Sequence, residues 1–505
     1  MSGDDLNTKT RSEFSRKENH LVRATLLVNE FEINRVPCKV YLPERIDEKP
    51  YVILKPSETN AASIMASHSG SLHAVDLGFT GKEELLIESP EVYFDGMSKK
   101  YWGSDISENI IPGEPQDLHI VQPIHSVGDS ENTQIVFWVT PNSFLSPDMI
   151  QSASNTGNIE YERISSSRFT FRNNISASFD KHFRSKTAEN GDLIQWDFLV
   201  ACVETEVPAI DVSTIKETIL PDIDDLLLIA SFVARQRTAC LGWSASDGNS
   251  LTTFYRGYYT FPKIKTKISI HDGVIEPAKF EDFMNTCYQE FLKYENKLAI
   301  RNAIFSLVPS NSLTLEVSFL NMFAGLETLI LDFKRQKSLE FVLQHDQWSS
   351  LKEYLKKCIK NSTEPTLEAE QRKLLYSKLD ELNRVSLREA FESFCEYYSI
   401  QLEDLWPIFG KNKLAGLSDI RNKFIHGDPL GHEMYDPIIL AHQHLKYVLE
   451  RVLIRVLQWN VDETKVSPTY LSTNMIRFED MLADQRKLSD FVYPDFSLQS
   501  STNSD

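Results

Sequence analysis

Between Leu21 and about Pro208 the chain alternates short β-branched and aromatic runs with stretches rich in Pro, Gly, Asn and Ser. The runs are HLVRATLLV, CKVYLP, YVILKP, ELLIESPEVYF, TQIVFWVTP and DLIQWDFLVACVETEV. Period-two alternation punctuated by turn formers marks half-buried strands. Their number predicts an antiparallel, sandwich-like or barrel-like β domain. The polar inserts ETNAASIMASHSGS and SDISENIIPGEPQD read as loops long enough to recognise a partner. From about Val212 to Val308 the character is mixed. Pro221 and Asp222 open an apolar helix, DIDDLLLIASFVARQR, with acids first and arginines last, as the helix dipole favours. The run LTTFYRGYYTFP follows. Its Phe254, Tyr255, Arg256, Tyr258 and Tyr259 could stack on bases, but an aromatic strand packed in a core is the commoner meaning. A helical regime then begins, with Phe280, Phe283, Met284, Cys287 and Phe291 at helical spacing.

From Thr314 to Trp459 the apolar period is 3.6 almost throughout. The segments are LEVSFLNMFAGLETLILDFKRQ, DQWSSLKEYLKKCIKN, LEAEQRKLLYSKLDELNRVSLREAFESFCEYYSI, LSDIRNKFIHG and IILAHQHLKYVLERVLIRVLQW. The last is opened by Asp436 as N-cap and Pro437 at the first helical position. Helices of this length joined by short loops predict a bundle. A further short helix, FEDMLADQRKL, and a Ser-rich end follow. The expected fold class is α+β: a flexible tail (1–20), a β-rich, sandwich-like domain (21–211), a mixed connecting region (212–300), an all-α bundle (301–460) and a C-terminal extension (461–505).

Composition narrows the class. With 505 residues, 41% hydrophobic and 25% charged, the chain has length for two or three domains with large cores and excludes a low-complexity protein. The longest apolar stretch, Leu226–Ala234, is about half a membrane span. The polar MSGDDLNTKTRSEFSRKENH contains no secretory signal, so a cytoplasmic protein without membrane attachment is expected. Six cysteines are scattered with no CxxC spacing, which predicts neither disulfide framework nor metal knuckle. No GxxxxGK[ST] or GxGxxG loop is present to cradle a phosphate cofactor. The net charge of −19 looks hostile to nucleic acid, but it is unevenly spread: residues 1–300 carry 29 basic and 43 acidic side chains, and 301–460 carry 20 and 21. The bundle is nearly neutral, and the acidity lies upstream.

Within that bundle, Leu417–Gly427 stands apart. At about 100° per residue, Leu417, Ile420 and Phe424 form one anchoring stripe, while Asn422 and His426 share the other side with Arg421 beside them. Ser418 is the expected N-cap, Gly427 the expected C-terminal cap, and Pro429 forbids continuation. A bare Arg-x4-His pair more often means a solvated helix face with a histidine favoured by the dipole. The polar trio opposite an apolar stripe, the caps at both ends and the place between bundle helices weigh the other way.

RNKFIHG, preceded by the Leu417/Ile420 spacing and followed by a Pro-started apolar helix, resembles the signature of the HEPN superfamily (higher eukaryotes and prokaryotes nucleotide-binding). Gly325-Leu326-Glu327-Thr328-Leu329 upstream, and a β-rich module ahead of a helical one, resemble the ApeA-like anti-phage members. The resemblance covers about residues 301–460. It implies a metal-independent ribonuclease acting in abortive infection, in which two motifs face each other across a homodimer or higher oligomer. The substrate would be RNA, with tRNA a candidate, and the trigger a phage protein read by the N-terminal module. No cofactor or metal is implied.

The residue chemistry agrees. An imidazole titrating near neutrality can take the 2′-hydroxyl proton or protonate the 5′-oxygen. A planar guanidinium can hold phosphate oxygens and stabilise the charge on the phosphorane. His426 and Arg421 are the candidates, with Asn422 orienting imidazole or phosphate. Glu327 projects from an apolar helix face and needs a partner. An ion pair with Arg421 that holds the short helix is the favoured reading, and membership of the active-site shell the sharper one. His432, His442 and His444 make no metal-binding pattern, since residues two apart point to different helix faces. Lys356, Lys357, Lys360, Arg372 and Lys373 read as solvated faces before an RNA track. The alternative function is a non-catalytic dimerisation or nucleotide-binding bundle in a signalling scaffold.

Overall fold

The computed structural model describes residues 19–493, except 43–48, 78–82, 103–105, 124–132, 147–148, 154–158, 164–167, 171–174, 188–192, 206–211, 247–249, 258–268, 310–312, 428–430 and 475–480. Of the expected features, most of the 1–20 tail, Tyr258, Tyr259 and Pro429 lie outside the described residues. The fold is α+β, in two compact units, Met1–Asp272 and Gly273–Asp505.

In the first unit the strands are β1 (Asn19–Val28), β2 (Phe31–Tyr41), β3 (Tyr51–Leu54), β4 (Ser69–Leu77), β5 (Glu83–Phe94), β6 (Ser98–Trp102) and β7 (Ile106–Gln116). Six of them close antiparallel in the order β1-β2-β3-β7-β5-β4 and back to β1. Of the two expected layouts, sandwich-like and barrel-like, these six strands form the barrel, in which each has a paired neighbour on both sides. Along β1, Val22, Ala24, Leu26 and Val28 point into the core while Leu21, Arg23 and Leu27 face out, the alternation the pleat demands. Gly113 sits where β7 passes from β3 to β5, and a Cβ there would come within 2.8 Å of Val92 and 3.1 Å of Val52.

Two expected loops are regular structure. Residues 58–67 form α1 (Glu58–Ser67), started by Ser57 and burying Ala61 and Ile64 against the barrel core. Their small, polar make-up hid an i, i+3 apolar pair. SENIIPGEPQ lies in β7. Its prolines suggested a loop, but Pro112 pairs with β3 and Pro115 with β5, each on one flank of the strand.

The sheet continues from β5 through β8 (Leu118–Pro123), β16 (Ser250–Tyr255), β15 (Cys240–Ser246), β9 (Thr133–Val139), β14 (Leu193–Thr205), β13 (Ser176–Thr187) and β12 (Arg168–Thr170). The strands β10 (Met149–Ala153) and β11 (Ile159–Arg163) pair separately. The helix α2 (Leu220–Ala234) continues without a break from a π-helical turn over Ile215–Ile219, so Pro221 stands in the first turn of the regular helix rather than opening it. On β16, Phe254 is buried beside Trp243, and Arg256, just past the strand, gives its guanidinium to Asp224 at 2.8 and 2.9 Å. The described part of the aromatic run is thus a core strand.

The second unit is helical: α3 (Phe280–Lys293), α4 (Lys297–Leu307), α5 (Leu315–Gln336), α6 (His345–Lys360), α7 (Ala369–Lys378), α8 (Leu387–Tyr398), α9 (Leu417–His426), α10 (Tyr435–Val456), α11 (Pro468–Asn474) and α12 (Met481–Val492). Where one long helix was expected over 367–400, α7 ends in a 3-10 turn and α8 starts afresh. Ser386 and Glu389 form a reciprocal capping box. The intervening Asn383 and Val385 bond instead to the backbone of Val342 and Glu340. α10 starts at Tyr435, after a 3-10 turn over His432–Met434, so Asp436 lies in its first turn and is not the N-cap. α10 is buried along most of its length, and its interior Arg451 is held by Asp404 and by the Val466 carbonyl at 2.6 Å. Among the described residues no helix is long and apolar enough to cross a membrane.

Candidate functional site

The site is built on α9. Its entrance is Gly416, in an extended conformation, whose N–H donates to the Asp419 carboxylate at 2.8 Å. The next two amides, of Leu417 and Ser418, donate to the carbonyls of Pro407 and Ile408 at 2.9 and 2.8 Å. Ser418 is therefore inside the helix rather than its N-cap. Backbone acceptors from the preceding segment and Asp419 reaching back satisfy the orphan amides two residues earlier. At the other end Gly427 adopts φ +75° and closes the helix, as its position predicted.

Leu417 and Ile420 are fully buried, and Phe424 meets Phe319 of α5 edge-on, with ring centres 5.4 Å apart. This stripe fixes the rotation of α9 and turns the polar side outward. Arg421 Nη2 donates to Glu327 Oε2 at 3.1 Å and Nη1 to Asn422 Oδ1 at 3.1 Å, while the guanidinium carbon lies 5.8 Å from the Phe323 ring centre. The expected Arg421–Glu327 pair is present. Asn422 and His426 are exposed, and His426 makes no hydrogen bond among the described residues. The structure thus brings Arg421, Asn422 and Glu327 into one hydrogen-bonded group. His426 stands about 7.5 Å further along the axis, from the 1.5 Å rise per residue.

Phe319, Phe323 and Glu327, at i, i+4 and i+8 on α5, line one side of α9: Phe319 meets Phe424, and Phe323 and Glu327 meet Arg421. That ladder is readable in the sequence, but only when α5 and α9 are paired. Since Phe319 meets Phe424 and Glu327 meets Arg421, the two helices run antiparallel, and His426 projects toward the beginning of α5. There Ser318 Oγ lies 2.9 Å from His442 Nε2. Burial, followed by the nearby Lys446, lowers the affinity of His442 for a proton. His444 turns the other way into the core, where its Nδ1 accepts the Trp406 N–H at 3.2 Å and burial pushes its pKa down to about 4. The two therefore diverge as their spacing predicted, and His432 packs instead at a tilt against Tyr435, with ring centres 5.7 Å apart. Among the described residues no cluster of His, Cys, Asp or Glu has a metal-holding arrangement.

Around the basic clusters, Lys356 pairs with Glu353 at 2.8 Å and Arg372 donates to the Leu367 carbonyl at 2.7 Å. These are local helix-surface contacts. Comparison with protein-family models, with curated proteins and with solved structures finds no match to this chain.

Proposed function

We propose that the helical unit is a HEPN-type, metal-independent endoribonuclease that works as a homodimer in anti-phage defence. The observation that carries this reading is the Arg421–Glu327–Asn422 group beside an exposed His426 on a capped, buried-stripe helix. A partly exposed guanidinium, with its position held by a carboxylate and an amide, is preorganised to receive phosphate oxygens. The His426 ring takes the proton of a ribose 2′-hydroxyl as that oxygen attacks phosphorus. A second imidazole, from the partner copy, protonates the departing 5′-oxygen, leaving a 2′,3′-cyclic phosphate and a 5′-hydroxyl. Arg421 from each copy offsets the charge on the phosphorane. Exposed Val317, Ile425 and Ile439 near the His426 end of α9 offer an apolar rim for the partner copy.

In this reading the acidic N-terminal unit meets a phage protein rather than RNA, because its charge repels a phosphate backbone at short range. It holds the nuclease in check within the cytoplasm until that trigger binds. The test is RNA cleavage by purified protein in EDTA, together with toxicity on expression. The parent yields cyclic-phosphate ends, and Arg421→Ala and His426→Ala each lower the rate at least ~100-fold, the scale of a general acid-base group, with unchanged circular dichroism. A His426→Ala protein that cleaves at the parent rate removes the proposal.

A further inference from the structure

The candidate site helix is gripped at its entrance by a segment more than sixty residues downstream. Ala415, just before α9, lies outside regular structure and is fully buried, so both its backbone polar groups need partners. Both come from α12. Ser489 Oγ accepts the Ala415 N–H at 2.8 Å, and the Ala415 carbonyl accepts Gln485 Nε2 at 3.0 Å, along with Trp406 Nε1 at 2.9 Å. The Ser489 hydroxyl donates in turn to the Gln485 carbonyl at 2.6 Å. Gln485 and Ser489 are themselves buried, four apart on one face, with Leu488 and Val492 beside them. A helix that merely filled volume would carry apolar residues at those two places.

The grip extends along α9. The Tyr493 hydroxyl donates to Asp419, the carboxylate that caps Gly416; burial first, and then that carboxylate, push the phenol up to about 12. The Lys423 ammonium lies 5.7 Å from the Phe491 ring centre. α12 and Tyr493, the residue after it, therefore meet α9 at its entrance, its first turn and its flank.

We propose that Gln485 and Ser489 are positioning residues for the site on α9: by fixing Ala415 they set the orientation of the helix that presents Arg421 and His426. The catalytic consequence rests on the ribonuclease reading, whereas the control of α9 does not. The apolar side chains that α12 buries are Leu488 and Val492, so loss of its polar hold on Ala415 opens α9 locally rather than the whole unit.

Amide hydrogen exchange on the full chain tests this. In Ser489→Ala, which strips the buried Ala415 N–H of its acceptor, the amides of Ala415–Lys423 exchange about tenfold or more faster than in the parent; in Gln485→Met, which leaves the Ala415 carbonyl its bond from Trp406, they exchange faster by a smaller factor. Those of Leu445–Leu453 in α10 keep the parent rate. Ser489→Thr, which retains the hydroxyl, and Lys487→Ala, on the exposed side of α12, leave both segments unchanged. In RNA cleavage the first two variants lose kcat with KM unchanged. Unaltered exchange over Ala415–Lys423 overturns the proposal, as does an equal rise over Leu445–Leu453, which makes α12 a general prop of the core. If the parent cleaves no RNA while the exchange pattern appears, the ribonuclease reading fails and the positioning of α9 stands.

Discussion

At the residue scale, two histidines of the helical unit show how burial divides roles that sequence treats alike. His426 is exposed on the last turn of α9, whereas His444 is sealed in the core, accepting the Trp406 N–H. That acceptor must be unprotonated, so His444 is neutral in the fold, with its pKa held at about 4 against an ordinary 6.5. Below pH 6.5 the unfolded chain takes up a proton that the folded chain refuses. The contribution of the neutral ring is whole above that pH and is lost as pH falls from 6.5 toward 4, on the order of 3 kcal/mol in all. Urea denaturation at pH 7 and pH 5 reads this directly: His444→Asn, whose amide oxygen takes the place of Nδ1 as acceptor, loses less stability over that interval than the parent. The Arg421–Glu327 pair obeys other arithmetic. With side chains 30% and 23% exposed, it contributes about 1 kcal/mol or less, so its worth lies in the direction it gives the guanidinium.

At the element scale, periodicity revealed what is long and amphipathic and missed what is short or set by distant partners. Leu315–Gln336 coincides with its expected span, and the stripe Leu417, Ile420, Phe424 faces inward as its spacing required. The break before Leu387 was written in Ser386 and Glu389, but the helical period on both sides masked it. The start of α9 could not be read locally, because the acceptors that satisfy its first amides belong to Pro407 and Ile408. Gln485 and Ser489 carried no signal, being ordinary polar residues until Ala415 is placed between them. Gly325, by contrast, was visible in sequence, and the reason is packing. α4 crosses α5 so closely there that a Cβ would lie 2.3 Å from Ser306 Oγ and 3.2 Å from the Ala303 Cα. Gly325→Ala gains helix propensity but must push the two helices apart, and overpacking of this kind costs about 1–3 kcal/mol. The expected result is a lower urea midpoint with unchanged slope. A midpoint at or above that of the parent would show that Ser306 can turn aside.

At the scale of the whole molecule, charge and association must be reconciled. A chain carrying a net charge of −19 repels its own copies, yet the proposed chemistry needs two of them. The acidity lies mainly within residues 1–300, while 301–460 is balanced, so contact through the helical unit meets the least repulsion. There Ile425, 53% exposed, stands next to His426 at the end of α9, with Val317 and Ile439 about half exposed. An interface built on such apolar side chains, between copies of like charge, tightens as salt screens the repulsion, because the Debye length falls from about 10 Å at 0.1 M to ~3 Å at 1 M. One built on ion pairs weakens instead. Sedimentation of the full chain at increasing salt therefore gives a dimer fraction that rises or holds. Ile425→Asp, which buries a carboxylate without a partner only when the dimer forms, gives a monomer. Its thermal stability stays at the parent value, since an exposed isoleucine contributes little to the fold, and its RNA cleavage is lost although Arg421, Asn422 and His426 are untouched. A monomeric Ile425→Asp that cleaves at the parent rate would place the whole chemistry in one copy and leave the second imidazole without a role.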